Sequence, residues 1–362
     1  MDSSAFDIMK NLQDFDLKDK KTYKPEPMLA ENHSRFVLFP IQYNDLWQYY
    51  KNAEAKFWTA EEIDLHDDLQ GYQALEGKTK AHIIQLLSLL CTVDSMYDAA
   101  IPSKFSNEIQ IPEARCFFGF QIMQQNIHAE TVSLLLDMLT VDQEEYRTDT
   151  LELVSRLTSV GRKMSWVEKY LTDTDDHFSK RLVAYIVYLG IFQSTIFTLI
   201  FHLAGPGNKF MPGLVNTGKL LLNLAAKFRH DYDIYLKFYN NLKLHLANVV
   251  PESDIRSMIA EAASIEKSLV DDLCELSAGS LSIGRIAVDF DVLKMKIMNS
   301  ANDLSKLLGC GVLYQGKDPL PWVEQVYNAE IGTHHAGDAK IAALTPVKQR
   351  TETLQFTIDE EF

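Results

Sequence analysis

The 362-residue sequence is poor in the residues that cross-link a chain or interrupt regular structure. Its four cysteines, at positions 91, 116, 274 and 310, are far apart and form no Cys-x-x-Cys pair. This spacing disfavours a disulfide scaffold or a zinc ribbon and is typical of a reducing, cytoplasmic compartment. Only 16 glycines and 11 prolines occur. Alternating strand patterns bounded by Asn-Gly or Asp-Gly turns are missing, so a fold built on sheets is disfavoured.

Basic residues are also in the minority, with 35 Lys and Arg against 50 Asp and Glu and a formal net charge of −15. Proteins that bind nucleic acid nonspecifically need cations to neutralise phosphates, so we expect no nucleic-acid partner. The N-terminal residues Met1 to Lys20 contain no unbroken apolar stretch, and no secretory signal is predicted there.

One segment is apolar enough to raise the question of a membrane. Residues 182–204 are a run of 23 residues without a formal charge, which is long enough to cross a bilayer. Polar side chains interrupt the run at Gln193, Ser194 and His202. A helix buried on all sides in a large bundle has the same composition, and we predict that rather than a membrane span.

Long stretches with apolar residues at three- and four-residue spacing predict an all-α fold. They are Lys80–Ala100, Glu113–Leu139, Ser179–Leu203, Leu214–Val249, Glu252–Leu276 and Arg285–Leu308. The two ends of the chain are polar without a sustained apolar period, which is typical of flexible arms. We therefore expect a helical bundle over residues 26–335, with arms at 1–25 and 336–362.

Candidate metal ligands are few. Helical bundles that hold two metal ions use inward carboxylates and Glu-x-x-His pairs, because residues three apart share a helix face. None of the ten histidines has a glutamate three residues before it. The nearest approach is Gln125 with His128, where a neutral amide replaces the carboxylate. Asp94 lies in another apolar helix, and the pattern alone favours a buried hydrogen-bonded pair of Asp94 and His128 over a metal site.

Several longer sequence segments resemble those of a known family. They are Arg35–Ile41 (RFVLFPI), Ala53–Leu65 (AEAKFWTAEEIDL), Phe105–Ile122 (FSNEIQIPEARCFFGFQI), Asn126–Glu130 (NIHAE), Gly190–Phe192 (GIF), Met211–Leu214 (MPGL) and Phe356–Phe362 (FTIDEEF). In these segments the chain resembles the small subunit of class I ribonucleotide reductase, of the eukaryotic type. The resemblance implies a ferritin-like helical bundle that serves deoxyribonucleotide synthesis and hence DNA replication.

The resemblance also shows where this chain departs from the family. Active members hold a diiron–tyrosyl radical cofactor with one aspartate, three glutamates and two histidines beside a tyrosine. The aspartate is kept as Asp94 and the first histidine as His128. Gln125 and Leu189 stand at two of the glutamate positions, and Val132 stands at the position of the radical tyrosine.

The last glutamate and histidine of the family set can be placed in two ways. The preferred alignment, which needs an insertion, sets Tyr232 and Tyr235 at these positions, and an ungapped alignment sets Ala225 and Phe228 there. Either placement removes both ligands. Because too few carboxylates then remain to offset two iron ions, we predict no metal site and no radical cofactor in this chain.

The family's radical path is expected to be interrupted as well. Trp58 matches the tryptophan that carries the radical, and Asp231 matches its hydrogen-bonding aspartate, so both are vestigial relay residues in this resemblance. No tyrosine follows Tyr327, and the C-terminal arm therefore has no relay residue. We interpret Trp58 as a packing residue, since large aromatic side chains dominate the energetics of cores.

The C-terminal peptide matches the segment by which family members dock their large catalytic subunit. Its aromatic and acidic side chains are typical of a tail that orders on binding in a basic groove. They belong to Phe356, Thr357, Ile358, Asp359, Glu360, Glu361 and Phe362. The resemblance thus indicates a non-catalytic small subunit, a pseudo-enzyme that pairs as a heterodimer with a metal-bearing small subunit and supports its assembly or cofactor loading.

Two alternatives stay open at this point. One is an active small subunit with a rearranged metal centre, whose ligands would come from Asp94, His128, Glu130, His230, Asp231 and Asp233. The other is a regulatory protein that has kept the fold and sequesters the large subunit.

Overall fold

The computed structural model describes residues 23–63, 69–95, 100–141, 143–172, 177–203, 215–277, 279, 282–283 and 286–342. Residues 1–22 of the expected N-terminal arm and the docking peptide 356–362 lie outside these ranges.

Helices form nearly all of the regular structure in the described ranges. The thirteen α-helices are α1 (Asn44–Glu54), α2 (Leu69–Gln73), α3 (Gly77–Ser95), α4 (Ala100–Glu108), α5 (Pro112–Leu139), α6 (Glu144–Ser155), α7 (Thr158–Val167), α8 (Phe178–Ile191), α9 (Ser194–Leu203), α10 (Val215–Lys243), α11 (Glu252–Leu276), α12 (Phe290–Leu307) and α13 (Pro321–Ala342). One short antiparallel ladder, β1 (Ser282–Ile283) with β2 (Ile286–Ala287), pairs Ser282 with Ala287 and Ile283 with Ile286. The predicted all-α class is confirmed.

Helix α8 lies at the centre of the bundle, where α10, α11 and α12 pack against it. Its six consecutive residues Leu182 to Val187 have no exposed surface. Among the described residues, Phe178–Phe201 is the one helical stretch long and apolar enough to span a membrane, and 89% of its most apolar window is buried inside the protein. Burial against three helices accounts for the apolar composition of this stretch.

Helix α5 is 28 residues long and forms a second axis of the bundle. Helices α1, α3 and α4 pack against it. Pro112 stands in its first turn, where a missing N–H leaves no hydrogen bond unmade. Buried residues recur along one side of this helix, from Phe117 to Leu139, while another side faces solvent.

Helix boundaries differ from the sequence patterns in three places. The stretch Leu214–Val249 stops being helical at Lys243. The stretch Arg285–Leu308 begins only at Phe290, because the Asp289 carboxylate caps α12 by accepting hydrogen bonds from the next turn's backbone amides at 2.9 and 3.1 Å. The last helix, α13, continues to Ala342, beyond residue 336 where the C-terminal arm was expected to begin.

The prediction of one continuous helix over Ser179–Leu203 is wrong, because a turn at Phe192 and Gln193 separates α8 from α9. Two side chains satisfy the backbone groups that this turn leaves open. Lys163 Nζ donates to the Phe192 carbonyl at 2.9 Å, and the Thr195 amide donates to Glu266 Oε1 at 3.1 Å.

The same two side chains form a buried ion pair. Lys163 Nζ lies 2.7 Å from Glu266 Oε2, and the side chains are 5% and 0% exposed. The apolar periodicity along α8 and α9 does not reveal the turn between them. The side chains that stabilise this turn, Lys163 and Glu266, come from α7 and α11. A buried pair with backbone hydrogen bonds on both sides is the arrangement in which such charges are tolerated.

Removing one charge of this pair should be strongly destabilising. Lys163→Met leaves Glu266 buried without its cation, and we expect the free energy of unfolding in urea to fall by about 3–5 kcal/mol. Lys163→Met combined with Glu266→Gln should recover much of that loss. The matched control is Lys169→Met, which breaks the exposed pair with Glu261 and should cost about 1 kcal/mol or less. Equal losses at the two lysines would contradict the role given to the buried pair.

Candidate functional site

Helices α3, α5 and α8 carry most of the residues that the sequence singles out. Gln125, His128 and Val132 follow one another at three- and four-residue spacing on the buried side of α5. Leu189 lies near the end of α8, one turn before the interruption, and is 5% exposed. Asp94 lies on α3, which packs against α5, and its side chain is outside the described part of the structure.

A buried carboxylate joins three segments of the chain at this place. Asp231 on α10 accepts a hydrogen bond from Trp58 Nε1 at 2.9 Å, and the same oxygen lies 2.8 Å from His128 Nε2. The three residues are only 3%, 3% and 1% exposed, in the order Asp231, Trp58 and His128. These contacts provide the partners that a carboxylate needs inside a protein. His128, which the pattern paired with Asp94, is thus bonded to Asp231.

Aromatic rings enclose the imidazole of His128. Phe228 stacks on it with ring centroids 3.9 Å apart and planes 12° apart, and the Trp58 ring lies 5.6 Å away. Tyr232 and Tyr235 are also buried, at 4% and 0% exposed, with their rings 5.9 Å apart. Aromatic rings therefore fill much of the space around His128.

The two candidate alignments of the α10 segment assign the family's ligand positions to different residues. In the register with an insertion, the aspartate position falls on Asp231, which contacts both Trp58 and His128. In the ungapped register, the ligand positions fall on Ala225 and Phe228, both fully buried. In the alignment with an insertion, the family's aspartate position coincides with the carboxylate that accepts the hydrogen bond of the Trp58 indole.

The polar groups left on the α5 side of the site are unsatisfied. Within the described residues, neither the Nε2 nor the Oε1 atom of Gln125 has a hydrogen-bond partner, and neither does His128 Nδ1. Val132 is 1% exposed and contributes no donor or acceptor from its side chain. One imidazole nitrogen and one neutral amide therefore face this part of the core.

Of the residues of the rearranged metal centre, His128 and Asp231 are in contact, whereas Glu130 and Asp233 have other surroundings. Glu130 is exposed on the outer side of α5, whereas His128 points inward. Asp233 accepts a hydrogen bond from the Tyr327 hydroxyl at 2.8 Å, and burial raises the pKa of its carboxyl group despite the nearby Arg229 cation. Across the described ranges, no group of three or more His, Cys, Asp or Glu side chains is arranged to hold a metal ion.

A cleft of about 390 Å³ has Leu189 and Tyr232 in its wall. The basic groups that line it are already ion-paired: Arg229 lies 2.7 Å from Glu324, and Lys296 lies 2.8 Å from Asp318. Among its described lining residues, the cleft therefore has no unpaired cation that would attract an anionic ligand.

Comparison with known proteins decides the family. The family model described as "Ribonucleotide reductase, small chain" matches residues 35–319. The ribonucleoside-diphosphate reductase small chain of Neurospora crassa is 33% identical over 359 residues, which cover 94% of this chain and 83% of the relative. Subunit M2 of the same enzyme from Danio rerio is 34% identical over 307 residues, which cover 85% of this chain and 75% of the relative. The chain belongs to the ribonucleotide reductase small-chain family.

A solved structure of similar sequence has the same fold. The structure of the ribonucleotide reductase Rnr4 homodimer from Saccharomyces cerevisiae superimposes with a TM-score of 0.70 at 29% sequence identity, covering 92% of this chain and 99% of that one. The fold is therefore the all-helical, ferritin-like bundle of ribonucleotide reductase small subunits, and the expected fold is confirmed.

The family's diiron cofactor gives a test of the site. Two iron ions are held in such bundles by several carboxylates together with histidines. At the positions that the resemblance assigns to ligands, this ribonucleotide reductase small chain has the hydrocarbon of Leu189 and the phenols of Tyr232 and Tyr235. Gln125 is neutral, and the Asp231 carboxylate is occupied by Trp58 and His128. These side chains do not fit a pair of iron ions.

Two features of the site were not found from the sequence. The contact between His128 and Asp231 joins residues 103 positions apart, and no local pattern links them. Phe228 was considered only as a substituted ligand, whereas its ring packs flat against His128. Phe228 and Asp231 are three residues apart on α10, so a scan for helix neighbours of Asp231 would have drawn attention to it.

Loss of the Asp231 charge should weaken the whole site. Asp231→Asn removes the charged acceptor shared by Trp58 and His128, and we expect the free energy of unfolding to fall by about 2 kcal/mol. Trp58→Phe keeps an aromatic ring and removes the indole donor. In a double-mutant cycle the two losses should be smaller together than their sum, because both variants remove the same hydrogen bond. Strict additivity would contradict the shared contact.

Proposed function

We propose that this chain is a small subunit of ribonucleoside-diphosphate reductase that builds no diiron–tyrosyl radical centre of its own. It pairs with a metal-bearing small subunit, supports that subunit's assembly or cofactor loading, and docks the large catalytic subunit for deoxyribonucleotide synthesis in the cytoplasm. The observation that carries the proposal is the burial of Leu189, Tyr232 and Tyr235, which stand where the resemblance expects metal ligands.

Charge balance is the first support for this proposal. Two iron ions bring several positive charges into the core, and family members offset them with four carboxylates. Of those four, the resemblance retains only Asp94. A buried excess of positive charge costs several kcal/mol per ion, and one retained histidine does not compensate for it.

The lack of a radical residue is the second support. Val132 at the radical-tyrosine position is buried and carries no phenol. Trp58 keeps its hydrogen bond to Asp231, which is consistent with a packing role. No tyrosine occurs after Tyr327, so the segment toward the large subunit holds no phenol to pass a radical on. The chain would then contribute a scaffold rather than electrons.

Pairing between small subunits has support from a relative. The Rnr4 chain, 29% identical and matched over 92% of this chain, is a homodimer in its solved structure. We extend this behaviour to the present chain and propose that its bundle pairs with another small subunit of the same fold. The metal-bearing partner would supply the cofactor that the site around His128 does not fit.

Iron loading tests the missing cofactor directly. We expect the purified chain, incubated with ferrous iron and then exposed to oxygen, to bind at most trace iron and to give no organic-radical signal in electron paramagnetic resonance. A metal-bearing small subunit treated in the same way is the positive control. Iron bound at two ions per chain, or a tyrosyl signal from the isolated chain, would overturn the proposal and favour the rearranged metal centre.

Deletion of Leu354–Phe362 tests the docking tail. We expect this deletion to abolish capture of the large subunit while pairing with the other small subunit is retained. Within the tail, Phe356→Ala and Phe362→Ala should each weaken capture roughly tenfold or more, because buried aromatic anchors dominate such interfaces. Thr357→Ala is the matched control and should have little effect. Full capture by the truncated chain in a pull-down would contradict a docking role for this peptide.

The assembly partner and the regulatory protein differ in their effect on the complex. An assembly partner raises or maintains the activity of the holoenzyme when it is added to the metal-bearing small subunit. A protein that sequesters the large subunit lowers it in proportion to the amount added. A titration of the complex with this chain therefore separates the two.

A further inference from the structure

A pocket of about 510 Å³ lies at the C-terminal end of α5, and we name it the terminal pocket. Its lining residues come from α2, from the start of α3, from the last turn of α5 and from the start of α6. Its volume is in the range of pockets that hold small molecules. His128 and Leu139 are eleven residues apart on α5, which is roughly 16 Å along the helix axis. The terminal pocket is therefore separate from the candidate site.

One cation lines the terminal pocket, and no carboxylate among the described residues neutralises it. Lys80 carries the one formal charge among the described lining residues. Its ammonium group donates to the Gln73 carbonyl at 2.7 Å and lies 5.6 Å from the centroid of the Tyr72 ring. No ion pair joins it to a described acidic side chain. Since an ammonium group has three N–H donors, Lys80 can still donate to an anion in the pocket.

A buried hydroxyl group provides a second donor. Tyr72 lines the terminal pocket and is 7% exposed. Its hydroxyl makes no hydrogen bond to another described residue. Burial, together with the nearby Tyr146 hydroxyl, raises the pKa of Tyr72 to about 12, so the group stays protonated at neutral pH. Buried polar groups nearly always have a hydrogen-bond partner, and a ligand with a negatively charged oxygen would provide one.

The first residue of α3 leaves its backbone open to the same pocket. Gly77 lines the terminal pocket, and a Cβ atom built on it would meet no heavy atom within 4 Å. The Lys80 amide makes a hydrogen bond of 3.1 Å to the Glu76 carbonyl, so the amides before Lys80 have no acceptor inside the helix. Such free amides favour an anion.

The remaining side chains of the terminal pocket suit a flat apolar group. Val141 and Tyr146 are 59% and 39% exposed, and the partly buried Met138 lies beside Leu139 in the lining. A tyrosine ring stacks favourably on another aromatic ring, and a methionine sulfur makes favourable contacts with ring edges. The terminal pocket thus combines a cation, a buried phenol and an apolar surface.

We infer that the terminal pocket binds a small aromatic anion, a planar ring that carries a phosphate or a carboxylate group. The anionic oxygens accept hydrogen bonds from Lys80 and from the Tyr72 hydroxyl, and the ring lies against Tyr146, Met138 and Val141. None of these residues stands at a position on which the proposed function depends, so the terminal pocket is independent of that proposal.

The first test titrates the full-length chain, labelled on its methionine methyl groups, with phenyl phosphate and with benzoate. We expect each ligand to shift the nuclear magnetic resonance signal of the Met138 methyl group, because an aromatic ring beside a methyl group changes its chemical shift. Met138→Leu assigns that signal, and Met123, which is exposed elsewhere on α5, should not respond. Inorganic phosphate and phenol each carry one half of the recognised chemistry and should bind about tenfold more weakly or worse.

The second test changes the two donors. Lys80→Met should raise the dissociation constant of phenyl phosphate about tenfold or more, because a charged hydrogen bond is lost, and Lys80→Arg should keep most of the affinity. Tyr72→Phe keeps the ring and removes the hydroxyl, and we expect a rise of about threefold or more. The matched control is Lys78→Met, which changes an exposed lysine of the same turn that does not line the terminal pocket. Urea midpoints of all four variants show whether each one is folded.

Three results would overturn the assignment of the terminal pocket. The first is a Met138 signal that does not move at millimolar phenyl phosphate and benzoate. The second is inorganic phosphate that binds as tightly as phenyl phosphate, since the ring would then contribute nothing. The third is wild-type affinity in the folded variants Lys80→Met and Tyr72→Phe. The tighter of the two aromatic ligands identifies the anion, and iron loading of the same chain reports on the proposed function separately.

Discussion

The hydrogen bonds of one buried carboxylate hold the interior of this protein in register. Asp231 on α10 contacts Trp58, which follows α1, and His128, which lies on α5. A carboxylate with its partners removed is expensive to bury. A shift of α10 by a single residue would bring His230 or Tyr232 to the same place, and the indole would lose its acceptor. The position of α10 against the rest of the bundle therefore depends on this contact.

Around that contact, the core is filled by aromatic side chains. Phe228 stacks on His128, Tyr232 lies near the same ring, and Tyr235 packs against Tyr232. Burial of such rings is favourable without a bound ion. The Gln125 amide and His128 Nδ1 face the core without hydrogen-bond partners among the described residues. These groups lie on the buried side of α5.

The helix α5 connects this interior to the surface. Its inner face carries His128 and Gln125, and its outer face carries the bare Gly119 between Arg115 and Glu130. Nearby, the turn between α8 and α9 is stabilised by the Lys163–Glu266 pair, which occupies both open backbone ends of the interruption.

The amino-acid sequence by itself determined the helical class, the approximate extents of the long helices and the family, because apolar periodicity and contiguous phrases are local properties of a chain. Through the resemblance it also predicted that Gln125, Val132 and Leu189 stand at positions where family members carry ligands and the radical tyrosine. Only the tertiary structure decided the partner of His128, the stacking of Phe228 and the interruption after α8. Each of these depends on groups brought together from distant segments, such as Lys163 and Glu266 around Phe192, and no local spacing encodes them. The hydrogen bond of Trp58 to Asp231 has the same character, since it joins residues 173 positions apart.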